Sequence, residues 1–148
     1  MKIYIATDHA GFPLKEHILP FVREELGYEV VDCGDLTLNP TDDYPLFMKE
    51  AARAVSENPE GAKAIIFGWS GQGEAIVANR FPHIRAVVYY GGQPEIIRLS
   101  REHNDANVLS FGAHFVSVED AKEAVALWLS TPFTHDDRHV RRIAQIDN

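Results

Sequence analysis

Cysteine is almost absent from this chain: Cys33 is the only one among 148 residues. A single thiol excludes an internal disulfide and any cysteine-based zinc cluster, and it suits a reducing cytoplasm. Long apolar runs are missing too, since none approaches the roughly 20 residues that span a bilayer. The opening MKIYIATDHAG enters a strand pattern at once, so no signal peptide is expected. Positive charge is scarce: Lys and Arg number 14 against 22 Asp and Glu. The formal net charge of −8 argues against nucleic acid or an anionic membrane as the main partner. What remains is an ordinary globular composition, 45% hydrophobic, at a length that fits one domain over residues 1–148.

Short apolar runs alternate with helical patterns. Strands are expected at Lys2–Thr7, Tyr28–Cys33, Ala62–Phe67, Ile84–Tyr90 and Asn107–Phe111. After the first strand, Leu14, Ile18, Phe21, Val22 and Leu26 share a helical face, with Pro13 suited to the first turn and Pro20 expected to kink or break the helix. Further helices are expected over Tyr44–Glu57, Gly73–Arg80, Pro94–His103, Ser117–Ser130 and about 136–146. Ser117 is a natural N-cap, with Asp120 at capping-box distance. Five such alternations imply crossover connections, hence a five-stranded parallel sheet in a three-layer α/β/α sandwich. The strands are apolar throughout, as strands covered on both faces should be. Ligands of such folds sit beyond the carboxyl ends of the strands. That directs attention to Asp8-His9-Ala10-Gly11, Asp42–Pro45, Gly68–Glu74 and Gly91-Gly92.

The most informative stretch is GWSGQGEAIVANR, Gly68–Arg80, which follows the apolar run Ala64–Phe67. Its glycines allow a sharp turn and close approach of backbone to a ligand. The helix that follows offers free N–H groups to an anion, or to an oxygen that becomes anionic during reaction. Glu74 lies in its first turn, and a carboxylate beside an anion-stabilising loop is the minimal equipment for removing a proton alpha to a carbonyl. The same acid could serve only to satisfy the helix dipole, and Ser70 could bind a substrate oxygen or cap the helix. The spacing G-x-x-G-x-G departs from the dinucleotide fingerprint, and the loop lacks the lysine of a P-loop.

Other residues are open to two readings. Asp8 and His9 can shuttle a proton or bind a hydroxyl, or can be a helix cap and a solvated imidazole. In Arg101–Asn107 (REHNDAN), His103 can act as acid or base near neutral pH and Asn104 can hold hydroxyls, or the stretch is a polar turn. Arg138 and Arg142 are four apart and share a helix face, a pairing suited to bidentate capture of phosphate, against the alternative of a solvated helix end.

Five motifs in order resemble the type B ribose-5-phosphate isomerase family, which includes the galactose-6-phosphate isomerase subunits. They are Thr7–Gly11 (TDHAG), Asp43–Pro45 (DYP), Gly68–Arg80, Arg101–Asn107 and Arg138–Arg142 (RHVRR). The resemblance covers nearly the whole chain. It implies a Rossmann-like or flavodoxin-like fold and interconversion of aldose and ketose phosphates through a cis-enediolate, with no metal and no cofactor. It also implies a cytoplasmic homodimer or tetramer whose active sites are shared between subunits, the last helix reaching a neighbour. One branch of the family uses a cysteine just before the glycine loop as base; here that position is Gly68. The other uses a glutamate after the loop, which Glu74 matches, leaving Cys33 a buried structural residue. By the same resemblance Asp8 and His103 assist ring opening, and Asn104 holds hydroxyls. His9, Arg138 and Arg142 bind phosphate, and Tyr44 lines the sugar site. Ser70 with the N–H groups of Gly71 to Gly73 stabilises the enediolate oxygen. Two positions depart from the family pattern: His114 stands where Arg is usual, on the phosphate side of the site, and Trp69 where a small residue is usual. The implied substrate is ribose 5-phosphate or ribulose 5-phosphate. The alternatives are a six-carbon sugar phosphate of the galactose or allose 6-phosphate type, or a non-catalytic sugar-phosphate or nucleotide-binding domain.

Overall fold

Apolar strands that must bury both faces need helices above and below them, and the computed structural model, described for residues 1–147, has that arrangement. Strands β1 (Lys2–Thr7), β2 (Glu29–Asp32), β3 (Ala62–Gly68), β4 (Ala86–Tyr89) and β5 (Val108–Gly112) form one parallel sheet in the order β2-β1-β3-β5-β4. The helices are α1 (Phe12–Pro20), α2 (Tyr44–Glu57), α3 (Gln72–Ala78), α4 (Glu95–Glu102), α5 (Val118–Ser130) and α6 (Asp137–Ile143). This is the α/β/α sandwich expected, and none of its helices is long and apolar enough to cross a membrane among the described residues.

Strand periodicity divides the core in two. Ile3, Ile5, Ile65, Phe67, Leu109 and Phe111 face Leu14 and Ile18 of α1, Ile97 of α4, and Val125 and Trp128 of α5. Ala6, Ala64, Ile66 and Val108 face the other way, against Met48, Ala51 and Val55 of α2 and Ala78 of α3. Small residues predominate on this second face, so α2 and α3 can lie close to the sheet.

Local chemistry explains most element ends. Proline has no N–H to continue an α-helix, and α1 ends at Pro20. The chain continues as a π-helical turn, Phe21–Glu25, in which Leu26 N–H donates to the Phe21 carbonyl at 3.0 Å. Ser117 caps α5 as expected, accepting from Asp120 N–H at 3.0 Å. β4 starts two residues later than its apolar pattern suggests, because Arg85 N–H is bound by Asn107 Oδ1 at 2.8 Å instead of entering the ladder. α6 ends three residues earlier than expected, at Ile143.

Strand order reverses at β1, whose neighbours β2 and β3 are reached by connections running in opposite directions. The crevice at such a reversal, at the carboxyl ends, is where open α/β sheets hold ligands. The loops after β1 and β3 both open there.

Cys33 directly follows β2 and is buried, and burial pushes its thiol up to about 12. A thiol that is neutral at working pH is a poor nucleophile. Native protein at pH 8 should therefore leave Cys33 unmodified by iodoacetamide, while denatured protein is alkylated fully; rapid native alkylation, read by mass spectrometry, would contradict this burial.

Candidate active site

The end of β3 runs into a tight turn with no room for a side chain at Gly71. Gly71 has φ of 75°, and a Cβ there would lie 2.8 Å from the Phe111 carbonyl carbon. Ser110 Oγ donates to the Gly71 carbonyl at 2.6 Å, and Ala113 N–H to the Gly68 carbonyl at 2.8 Å, so the loop is clamped to the end of β5. A Cβ on Gly73 would stand 2.8 Å from the Tyr44 hydroxyl, which places that phenol directly over the loop. Gln72 N–H donates to Ser70 Oγ at 3.4 Å. The remaining first-turn amides of α3 have no carbonyl within the helix to receive them.

Glu74 rises from the first turn of α3, yet its side chain does not point outward. It is 5% exposed, and its carboxyl group lies over Gly68, filling the space that a Cβ at position 68 would need. Burial raises the pKa of this carboxyl, and the nearby Asp8 charge adds to the shift. Asp8 follows β1. Its Oδ1 accepts from the N–H groups of Ala10 at 3.0 Å and Gly11 at 3.2 Å, and burial raises its pKa as well.

Beside Asp8, the His9 ring meets Asp42: Nδ1 lies 2.5 Å from Oδ1, and the His9 backbone N–H donates to the same oxygen at 3.2 Å. The bond to Asp42 raises the His9 pKa and so favours the imidazolium. Asp42 itself is almost wholly buried, its side chain 4% exposed, and its Oδ2 has no hydrogen-bond partner. The sequence singles out the loop that contains Asp42 but not the residue. Asp42 and Asp43 stand side by side, and only the fold distinguishes the buried one.

His114 and Trp69, the two departures from the family pattern, pack on each other. Their rings stack at 3.9 Å with 14° between planes, and His114 N–H donates to the Trp69 carbonyl at 3.2 Å. Both follow directly from the pairing of Gly68 with Gly112.

The remaining expected residues lie elsewhere. His103 caps α4 and Asn104 follows it, just before β5 begins, so both stand at the amino end of the sheet. α6 is held at that end: Thr134 Oγ1 donates to the Glu102 carbonyl at 2.9 Å, and the His139 ring stacks on His103 at 4.4 Å. Arg138 and Arg142 are exposed on α6 and form no ion pair among the described residues. The length of β5 alone, roughly 13 Å at the usual rise per residue, separates this group from the glycine loop. One chain thus carries two half-sites. Asp8, His9, Tyr44, Ser70, Gly71, Gly73, Glu74 and His114 gather at the carboxyl end, and His103, Asn104, Arg138 and Arg142 at the amino end.

Comparison with known proteins gives a consistent picture. The sequence profile of the Ribose/Galactose Isomerase family matches residues 3–146. Ribose-5-phosphate isomerase B of Mycobacterium tuberculosis is 37% identical over 143 residues, which are 97% of this chain and 86% of that protein. The structure of Clostridium thermocellum ribose-5-phosphate isomerase B superposes with a TM-score of 0.91 at 39% identity, over 99% of this chain and 95% of that one. The Mycoplasma genitalium ribose-5-phosphate isomerase B structure, which has ribulose 5-phosphate bound, gives 0.91 at 31% identity, over 98% and 93%.

The placement of Glu74 over Gly68 has a direct structural consequence. Gly68→Ala should cost about 1–3 kcal/mol in chemical denaturation by overpacking. Adding Glu74→Ala, which clears the space, should return most of that loss. Purely additive costs in the double-mutant cycle would mean that the carboxyl lies elsewhere.

Proposed function

The chain belongs to the ribose/galactose isomerase family, and on that footing we propose that it interconverts ribose 5-phosphate and ribulose 5-phosphate through a cis-enediolate, with Glu74 as the base. The observation that carries this reading is the carboxyl of Glu74 lying over Gly68 beside the glycine loop. Where one branch of the family has a cysteine, this chain has no side chain, and Glu74 fills that space. A pKa raised toward neutrality makes the carboxylate a stronger base than it would be in water. Glu74 takes the proton from C2 of the open aldose, and the electron pair moves into the C1–C2 bond as the carbonyl oxygen becomes anionic. Transfer of the O2 hydroxyl proton to O1, with return of the abstracted proton to C1, gives the ketose. Ser70 and the amides of the glycine loop face the oxygen on which charge develops.

The other groups act on the ends of the sugar. Asp8 and His103 move the protons that open the furanose ring, Asn104 and Tyr44 hold hydroxyls, and His9, Arg138 and Arg142 bind the phosphate. The two half-sites point to assembly: His103, Asn104, Arg138 and Arg142 act on a sugar held by the glycine loop of a second copy. Unpaired guanidinium groups exposed on α6 of an acidic protein fit that role.

Glu74→Gln should keep the fold and lower kcat by at least about 100-fold, with no exchange of the C2 proton into deuterated water. It should also be more stable than wild type at neutral pH. A carboxyl whose folded pKa is raised weakens the fold as pH rises through and above its unfolded value of 4.5, so the variant's advantage should vanish in acid below that value. Full activity in Glu74→Gln would remove the proposed base.

Assembly has its own test. Glu74→Gln and His103→Ala, each inactive alone, should regain about a quarter of wild-type activity when co-expressed, because half the dimers are mixed and one of their two sites is intact. No recovery, with mixed dimers demonstrated by mass, would confine the site to one chain.

A further inference from the structure

Asp8, His9 and Asp42 form a constellation whose chemistry goes beyond sugar binding. One candidate ligand atom from each lies within 4.8 Å of the others. Each carboxylate has one oxygen tied to backbone: Asp8 Oδ1 to the amides of Ala10 and Gly11, and Asp42 Oδ1 to the amide of His9. The second oxygen of each is unengaged. Asp42 Oδ2 is buried without a partner, and Asp8 Oδ2 accepts no hydrogen bond among the described residues. A carboxylate fixed through one oxygen and free at the other is the usual arrangement of a monodentate metal ligand with outer-shell support. The two acids also repel each other, since the Asp42 charge contributes to the raised pKa of Asp8. A cation between them would relieve that repulsion.

We propose that Asp8, His9 and Asp42 form an inhibitory site for a divalent transition-metal ion such as Zn2+, binding through Asp8 Oδ2, His9 Nδ1 and Asp42 Oδ2, with water at the remaining positions. On binding, His9 Nδ1 releases its proton to solvent and exchanges its contact with Asp42 Oδ1 for the metal. Oδ1 keeps the His9 amide, so the loop need not unfold. Candidate atoms already lie within 4.8 Å of one another, so bond lengths of about 2.0–2.2 Å require only side-chain rotations. An imidazole with two carboxylates favours zinc, cobalt or manganese over calcium and magnesium, which prefer all-oxygen shells. The inhibitory consequence rests on the isomerase reading. Asp8 is close enough to Glu74 to perturb its pKa, so a metal there occupies space the sugar needs.

The test is titration of ZnCl2 into the chelator-treated full chain by isothermal calorimetry. One ion per chain is expected, with binding weakened at least about 10-fold in both Asp42→Asn and His9→Ala and unchanged in His17→Ala, a change at an exposed histidine of α1. Unaltered affinity in both variants, or no binding to wild type up to about 1 mM Zn2+, would overturn the site. His9 is only partly buried, so His9→Ala keeps the test decisive even if Asp42→Asn loses its fold. The calorimetry does not read turnover. A negative titration therefore removes the metal site and leaves the role of Glu74 standing, whereas wild-type protein that binds zinc but, assayed free of metal, leaves ribose 5-phosphate unchanged would remove the isomerase reading alone.

Discussion

The structure turns on one crowded contact, the Glu74 carboxyl lying over Gly68. Helix α3 must start within a few residues of the end of β3 for this acid to fold back over the strand end, and the positive φ of Gly71 makes so short a turn possible. The contact also requires that position 68 carry no side chain. Burial there has an electrostatic consequence: the ionised form of the carboxyl is disfavoured, as it would not be in a solvated surface acid. Tyr44 above the loop and the clamp from Ser110 keep that geometry fixed.

A second constraint is the polarity of the sheet. All five strands run parallel, so every loop after a strand opens at one end and every loop before a strand at the other. The acids, the imidazole of His9 and the glycine loop are at the first end, and the cationic groups of α6 with His103 at the second. A sugar phosphate needs a base at one end and cations at the other, and a single chain presents these on opposite poles. In the proposed assembly a second copy would bring them together, and its cations would enter a pocket otherwise lined by Asp8, Asp42 and Glu74.

Much of this was legible in the sequence. The alternation of doubly covered strands with helices follows from periodicity, and Pro20 marked the end of α1 through its missing N–H. Glu74 could be recognised as a first-turn acid beside a glycine loop. Its fold back over Gly68 could not, because an acid in that turn serves equally well as a partner of the helix dipole. Asp42 was hidden by its acidic neighbour, since burial is a property of the fold and not of the dipeptide. The stacking of Trp69 on His114 depends on the register of β3 with β5, which joins residues more than 40 positions apart. The place of REHNDAN at the amino end of the sheet, by contrast, was implicit in its position just before a strand, whereas that of Arg138 and Arg142 depends on how α6 packs against the end of α4.

The most direct measurement is a crystal structure of this chain with ribulose 5-phosphate bound. The account predicts the Glu74 carboxylate within about 3–3.5 Å of C1 and C2 of the sugar, and the phosphate in contact with Arg138 of a second copy. A sugar held in another cleft, with Glu74 remote from both carbons in every subunit, would contradict it.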